Sequence, residues 1–335
     1  KEGMRDRARD LITQELGPRT DHDIRRSLER QVEAERWTNL DRQLRRDGQR
    51  SGIIDLAPRA GEQPDALHAL KVGRLRTLER FGIAHQIGHS QWFLADEAEE
   101  TLRQLGERGD IIKRMHRALA ERGIDRGAAS FVLAAESIDQ PVVGRLIDRG
   151  LRDELNGTAY VVIDGVDGRT HYINLPDLDA TGDGSPGSIV ELRKFEDVQG
   201  RQRVAIAVRS DLPLEEQVFA TGATWLDRQA ISPDPTALGE GGFGHEVREA
   251  LDRRAEHLAE EGLAQRHGSR VIFARRLLDT LLRRELDALG EKLAEEFGRP
   301  FNKPATGEYA AGTYRRRFAL ASGRFAMIDD GLGFQ

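Results

Sequence analysis

LHALKVGRLRTLERFGIAHQIGHSQWFL, residues 67–94, is the stretch whose reading decides the fold. Leu67, Leu70, Leu75 and Leu78 recur at helical spacing and give one apolar stripe to set against a core. Gly82 supplies the left-handed residue that a helix C-terminus needs. Two short extended runs, 83–87 and 91–94, flank Gly88-His89-Ser90, a hairpin tip. Helix, stop and small hairpin are the parts of a winged helix-turn-helix, with a recognition helix followed by its wing.

The pattern returns at 248–274, REALDRRAEHLAEEGLAQRHGSRVIFA. At a constant offset Leu78 matches Leu258, Gly82 matches Gly262, Ile83 matches Leu263 and Ala84 matches Ala264. Gly88 then matches Gly268, and Phe93 matches Phe273. These matches imply an internal duplication of one small module.

Around these modules the chain reads as α+β and multidomain. A charged helical arm and linker occupy 1–60, with Thr20-Asp21-His22-Asp23 as a helix cap. The first winged-helix-like module and its following helices take 64–125, with helices at 97–105 and 110–122 parted by a turn at Gly106 and Gly109. Short alternating runs within 140–231 predict a small antiparallel β-barrel-like domain carrying one helix at 213–228. A Pro/Gly-rich linker at 232–242 leads to the second module and a long helix, 243–297, and then to a β segment at 305–335 that reads as truncated.

Composition narrows the function classes. With 335 residues the chain has room for several cores, and with no cysteine it has neither disulfides nor thiolate metal sites, as suits a cytoplasmic protein. No run is long and apolar enough for a membrane span. A formal net charge of -6 restricts nucleic-acid contact to local basic faces. The candidates for DNA contact are Lys71, Arg74, Arg76 and Arg80 with wing residues His85 and His89, and in the second module Arg253, Arg254, Arg266 and Arg270, with His267 beside them. The competing reading is a solvated charged face, favoured by the nearby Glu79, Glu256, Glu260 and Glu261.

Other chemistries find less support. His85 and His89 lie four apart across a loop without further ligands, so a polar wing explains them better than a metal. Asp164, Asp167, Asp177, Asp179 and Asp183 miss the EF-hand spacing and suit turns. Gly239, Gly241, Gly242 and Gly244 lack the following Lys-Ser/Thr of a phosphate-binding loop. No nucleophile elbow, zincin motif or kinase signature is present.

Several blocks carry a family resemblance: QELGPRT near Gly17, VEAERWTNLDRQL at 32–44, GRLRTLERFGIA at 73–84, LGERGDIIKRMHRAL at 105–119, RVIFARRLLDTLLRREL at 270–286 and LASGRFAMIDDGLGFQ at 320–335. In these the chain resembles the C-terminal extension of VirD-type (MobP-like) relaxase/mobilization nucleases of conjugative plasmids and integrative elements. The resemblance implies a parent that nicks the origin of transfer through a tyrosine and a His-rich metal motif in an upstream nuclease domain. This sequence shows no His-hydrophobe-His triplet, and Tyr160, Tyr172, Tyr309 and Tyr314 have no such site beside them, so no catalytic residue carries over. The chain starts at Lys1 without an initiator Met and reads as a non-catalytic fragment, its divalent metal expected only in the nuclease domain. The partners implied are origin-of-transfer DNA, relaxosome accessory proteins and the type IV secretion coupling protein. A protein-interaction scaffold without DNA contact is the alternative, and a free-standing transcriptional regulator suits the wings but not the resemblance.

Overall fold

A computed structural model describes residues 21–48, 52–57, 66–134, 141–268, 270–303 and 309–335. The chain forms two compact units, 1–113 and 114–335. The described residues make a mixed α+β structure with eight α-helices and four sheets, none closed into a barrel.

In the first unit, α1 (Asp21–Val32) and α2 (Asn39–Asp47) lead into a short strand, β1 (Ile53–Asp55). Helix α3 (Ala66–Arg80) follows, then β2 (Ala84–Gln86), β3 (Gln91–Leu94) and the start of α4 (Ala98–Ala120). Thr38 begins α2 with a capping box: its side chain accepts from the Asp41 N–H, and the Asp41 carboxylate accepts from the Thr38 N–H. Gly82, at φ +72°, stops α3, and the Ile83 N–H returns to the Leu78 carbonyl at 2.9 Å. The antiparallel sheet runs β1-β3-β2, with Ile54 opposite Trp92 and Asp55 opposite Gln91. Its core comprises Leu44, Ile54, Leu75, Leu78, Ile83, Trp92, Leu94 and Leu102. Thr20 of the expected first cap lies outside the described residues.

The turn expected at Gly106 and Gly109 does not form; one helix, α4, runs through both. Gly106 serves packing instead: a Cβ there would lie 2.9 Å from the Arg36 Cβ, so its bare Cα admits the α1–α2 connection.

The second unit is built on a six-stranded sheet of β4 (Phe131–Ala134), β5 (Val142–Asp153), β6 (Thr158–Gly165), β7 (Thr170–Leu175), β8 (Ile189–Glu196) and β9 (Gln202–Ser210). Its order is β4-β7-β6-β5-β8-β9, antiparallel except for the parallel β4–β7 pair. The expected barrel is therefore an open sheet. A barrel has a single interior, whereas here both faces of the central strands are covered: Leu146 and Ile147 are both fully buried, as are Val161, Val162 and Ile163. One core collects Leu146, Val161, Ile163, Ile173, Val190 and Leu192.

The single helix expected at 213–228 is two, α5 (Leu214–Val218) and α6 (Trp225–Ile231). With α7 (Gly242–Glu260) they form a core in which Leu214, Val218, Trp225, Leu226, Phe243 and Val247 pack against Val143, Val166 and Ile189 of the sheet region. The hairpin β10 (Ala264–His267) and β11 (Arg270–Phe273) follows, then α8 (Leu277–Phe297). A final hairpin, β12 (Thr313–Leu320) and β13 (Gly323–Asp329), packs with α8 around Leu293, Met327 and Phe334. The β segment expected at 305–335 contains this paired ribbon and its small core. The expected linker at 232–242 is docked rather than free: the Gly239 N–H donates to the Val166 carbonyl at 2.7 Å.

Candidate nucleic-acid interface

The expected interface places Arg74 on α3 and Arg254 on α7 at the centre of a DNA-reading face. The structure places both inside the protein, each fully enclosed. Arg74 donates through Nε and Nη2 to the two carboxylate oxygens of Asp41, at 2.8 and 3.0 Å. Its remaining donors reach the carbonyls of Val32, Ala34 and Arg36 at 3.1, 2.6 and 3.0 Å. With all five N–H groups engaged and no solvent access, neither a phosphate nor a base can reach it. Arg254 does the same: Asp227 accepts at 2.9 and 2.9 Å, and the carbonyls of Val218, Ala220 and Gly222 accept at 3.2, 2.6 and 3.1 Å. Both arginines leave the set of candidate DNA contacts.

The two networks are the same network. Asp41 and Asp227 each close a capping box with a threonine three residues earlier, Thr38 and Thr224. Gln31 and Gln217 each accept from a backbone N–H nine residues on, Leu40 at 3.2 Å and Leu226 at 3.3 Å. The duplicated unit therefore begins well before the helix–hairpin match, at α1 and α5, whose last residues and following turns supply the carbonyls. A sequence signal for it exists: Gln31-Val32-x-Ala34-x-x-x-Thr38-x-Leu40-Asp41 recurs as Gln217-Val218-x-Ala220-x-x-x-Thr224-x-Leu226-Asp227. The hairpins do not match without a gap. Ala84 pairs with Leu94 but Ala264 pairs with Phe273, so Phe273 corresponds to Leu94 and Ile272 to Phe93; the second hairpin is one residue shorter.

The other candidates are at or near the surface, in different electrostatic settings. Lys71 is held by Asp47 at 2.7 Å and Arg80 by Glu33 at 2.8 Å, while Arg76, His85 and His89 are exposed. Hairpin β2–β3 has no Lys, Arg, Asp or Glu between residues 81 and 95. On α7 the exposed positions are His245, Glu249, Asp252, Arg253, Glu256 and Glu260, an acidic face that a phosphate backbone would repel. Arg253 lies over the Phe219 ring. Hairpin β10–β11 is the contrast. From 262 to 278 there is no acidic residue, and Arg266, Arg270, Arg275 and Arg276 are all exposed. His267 and Arg270 are direct cross-strand neighbours, and of these side chains Arg266 has an acidic partner, Glu256 at 3.1 Å.

Asp164, expected in a turn, lies instead in strand β6 and anchors a second polar cluster whose other members the sequence did not single out. Asp164, wholly buried at the end of β6, accepts from Arg126 and Arg145, both at 2.9 Å, and both arginines also pair with Glu246 of α7. Burial opposes the Arg126 charge, but the two carboxylates outweigh it and leave its pKa raised. Four charges from the α4–β4 connection, two strands and a helix thereby tie the sheet to α7, and spacing gives no sign of them because they are far apart in the chain. The glycines at 239–244 belong to the same junction: a Cβ on Gly239 would lie 2.3 Å from the Asp167 carbonyl oxygen. Among the described residues no group of three or more His, Asp or Glu gathers to hold a metal. None of the described helices is long and apolar enough to cross a membrane.

A family model described as protein of unknown function (DUF3363) matches residues 71–199 and 192–335. The chain belongs to this family. The match to the DUF3363 model begins within α3 and takes in the six-stranded sheet, the second module and the closing ribbon. No curated protein and no solved structure matches the chain.

Proposed function

We propose that this DUF3363 chain is the non-catalytic DNA-binding and relaxosome-assembly region of a conjugative relaxase. Its two helix–hairpin modules are winged helices in this reading, and the second grips duplex DNA near the nick site. The observation that carries the proposal is the acid-free run at 262–278, whose four exposed arginines and His267 lie on hairpin β10–β11 and the start of α8. A wing needs no recognition helix to bind: arginines at a hairpin tip can engage phosphates or enter the minor groove. The nicking chemistry belongs to a separate nuclease domain, together with its metal. Origin-of-transfer DNA, relaxosome proteins and the coupling protein are the partners the reading requires.

The test is fluorescence-anisotropy binding of the whole chain to labelled duplex across a salt series, with R266A/R275A as the variant. Binding with a steep salt dependence, and a slope smaller by about two in the variant, supports the proposal. No duplex binding at low salt overturns it. The acidic exposed face of α7 favours a second reading, a scaffold that docks relaxosome or coupling proteins without DNA.

A further inference from the structure

The two modules repeat one pattern of hydrogen bonds, each within itself, but differ in one strand. In the first, β1 lies along the outer edge of β3, pairing Ile53 with Phe93, Ile54 with Trp92 and Asp55 with Gln91. In the second, hairpin β10–β11 is a two-stranded sheet, and among the described residues nothing pairs with the outer edge of β11. The cause is visible in the connections. Between α2 and α3 the chain supplies β1. Between α6 and α7 it is drawn instead onto the β6–β7 turn, where Gly239 donates to Val166.

We propose that the open edge of β11 is a docking site for an extended peptide strand of a partner protein, bound antiparallel, with two adjacent apolar residues followed by an acidic one. The first module provides the template. Hairpin register equates Trp92, Phe93 and Gln91 with Val271, Ile272 and Arg270. A strand seated like β1 would therefore set its apolar pair against Ile272 and Val271 and its acidic residue against Arg270. In the first module Ile54 is buried at 1% exposure, and the Asp55 carboxylate accepts from Gln91 Nε2 at 3.1 Å and from Ser90 Oγ at 3.2 Å. Arg270 offers that carboxylate a full charge in place of an amide. Ile272 is 57% exposed, against 40% for its counterpart Phe93 beside β1, and it lies on an edge that no described residue pairs with, the arrangement that strand addition uses. The site uses the backbone of β11 and does not depend on the DNA-binding reading.

The experiment titrates the whole isotope-labelled chain with a blocked peptide carrying the 52–57 sequence, GIIDLA, and with its GIIKLA counterpart. Amide shifts and hydrogen exchange at residues 270–273 are followed. The expected result is slowed exchange at those amides with GIIDLA, and binding weaker by about fivefold with GIIKLA. R270E should reverse that preference; Arg270 is exposed, so the variant keeps its fold. Unchanged β11 amides at millimolar peptide, or equal binding of both peptides, would overturn the proposal. So would a free chain whose β11 amides are already protected by self-association. Arg266 and Arg275, which test the DNA reading, take no part here, so the two proposals fail separately.

Discussion

Arg254 and Asp227 meet side-on, Nε to Oδ1 and Nη2 to Oδ2, both at 2.9 Å with neither side chain open to water. The pair joins α7 to α6, and its three further bonds hold the chain between α5 and α6 in place. Arg74 and Asp41 do the same in the first unit. Removing one partner of a buried, hydrogen-bonded pair strands the other charge and costs about 3–5 kcal/mol, against ~1 kcal/mol or less for an exposed pair. D227A, R254A, D41A and R74A should each lower unfolding free energy on the larger scale, and urea titration followed by circular dichroism measures it. A loss under about 1 kcal/mol would mean the pairs are not buried as described. With the larger loss, any loss of DNA binding in R74A would report unfolding rather than a lost contact.

Two glycines three residues apart in α4 should respond with opposite signs. A Cβ on Gly109 meets nothing within 4 Å, so G109A should stabilise the helix by about 0.5–1 kcal/mol. A Cβ on Gly106 would lie 2.9 Å from the Arg36 Cβ, so G106A should destabilise by about 1–3 kcal/mol. Thermal unfolding of the two variants side by side checks both.

Arg276, at φ +61°, is the non-glycine residue at positive φ among those described. A side chain there costs about 1 kcal/mol that glycine avoids. R276G should therefore raise the unfolding midpoint while removing one of the exposed charges of the hairpin region. If stability falls instead, the side chain makes contacts that outweigh the strain.

Tyr160 titrates high. Burial, then its 2.7 Å hydrogen bond to the Asp148 carboxylate, pushes the phenol up to about 12. Because the folded value lies above the unfolded one near 10, the neutral phenol adds stability in full below pH 10, and this is lost as pH rises through 12. Absorbance at the phenolate band should show a step near pH 12 that moves downward in D148N. A Tyr160 step unmoved by D148N would remove Asp148 as a cause.

Much of the architecture was legible locally. Gly82 and Gly262 mark helix ends because φ values of +72° and +73° suit glycine, and the strands from β6 to β9 show in their alternation and turns. The candidate interface was legible only in part. Arg74 and Arg76 look alike in sequence, yet one is enclosed and the other exposed, because the face of α3 that carries Arg74 is the one α1 and α2 cover. The carboxylate and carbonyl partners of Arg74 lie dozens of residues away, beyond any periodicity.

The sequence by itself determined the duplicated helix-stop-hairpin, the α+β character and the acid-free basic run of the second hairpin, since these depend on near neighbours and backbone preference. Tertiary structure decided which arginines are structural and which face solvent, that the sheet stays open, and that among the described residues nothing pairs with the outer edge of β11 where β1 pairs with β3. Those outcomes depend on which distant segments cover a given face, and desolvation then separates a structural arginine from a surface one.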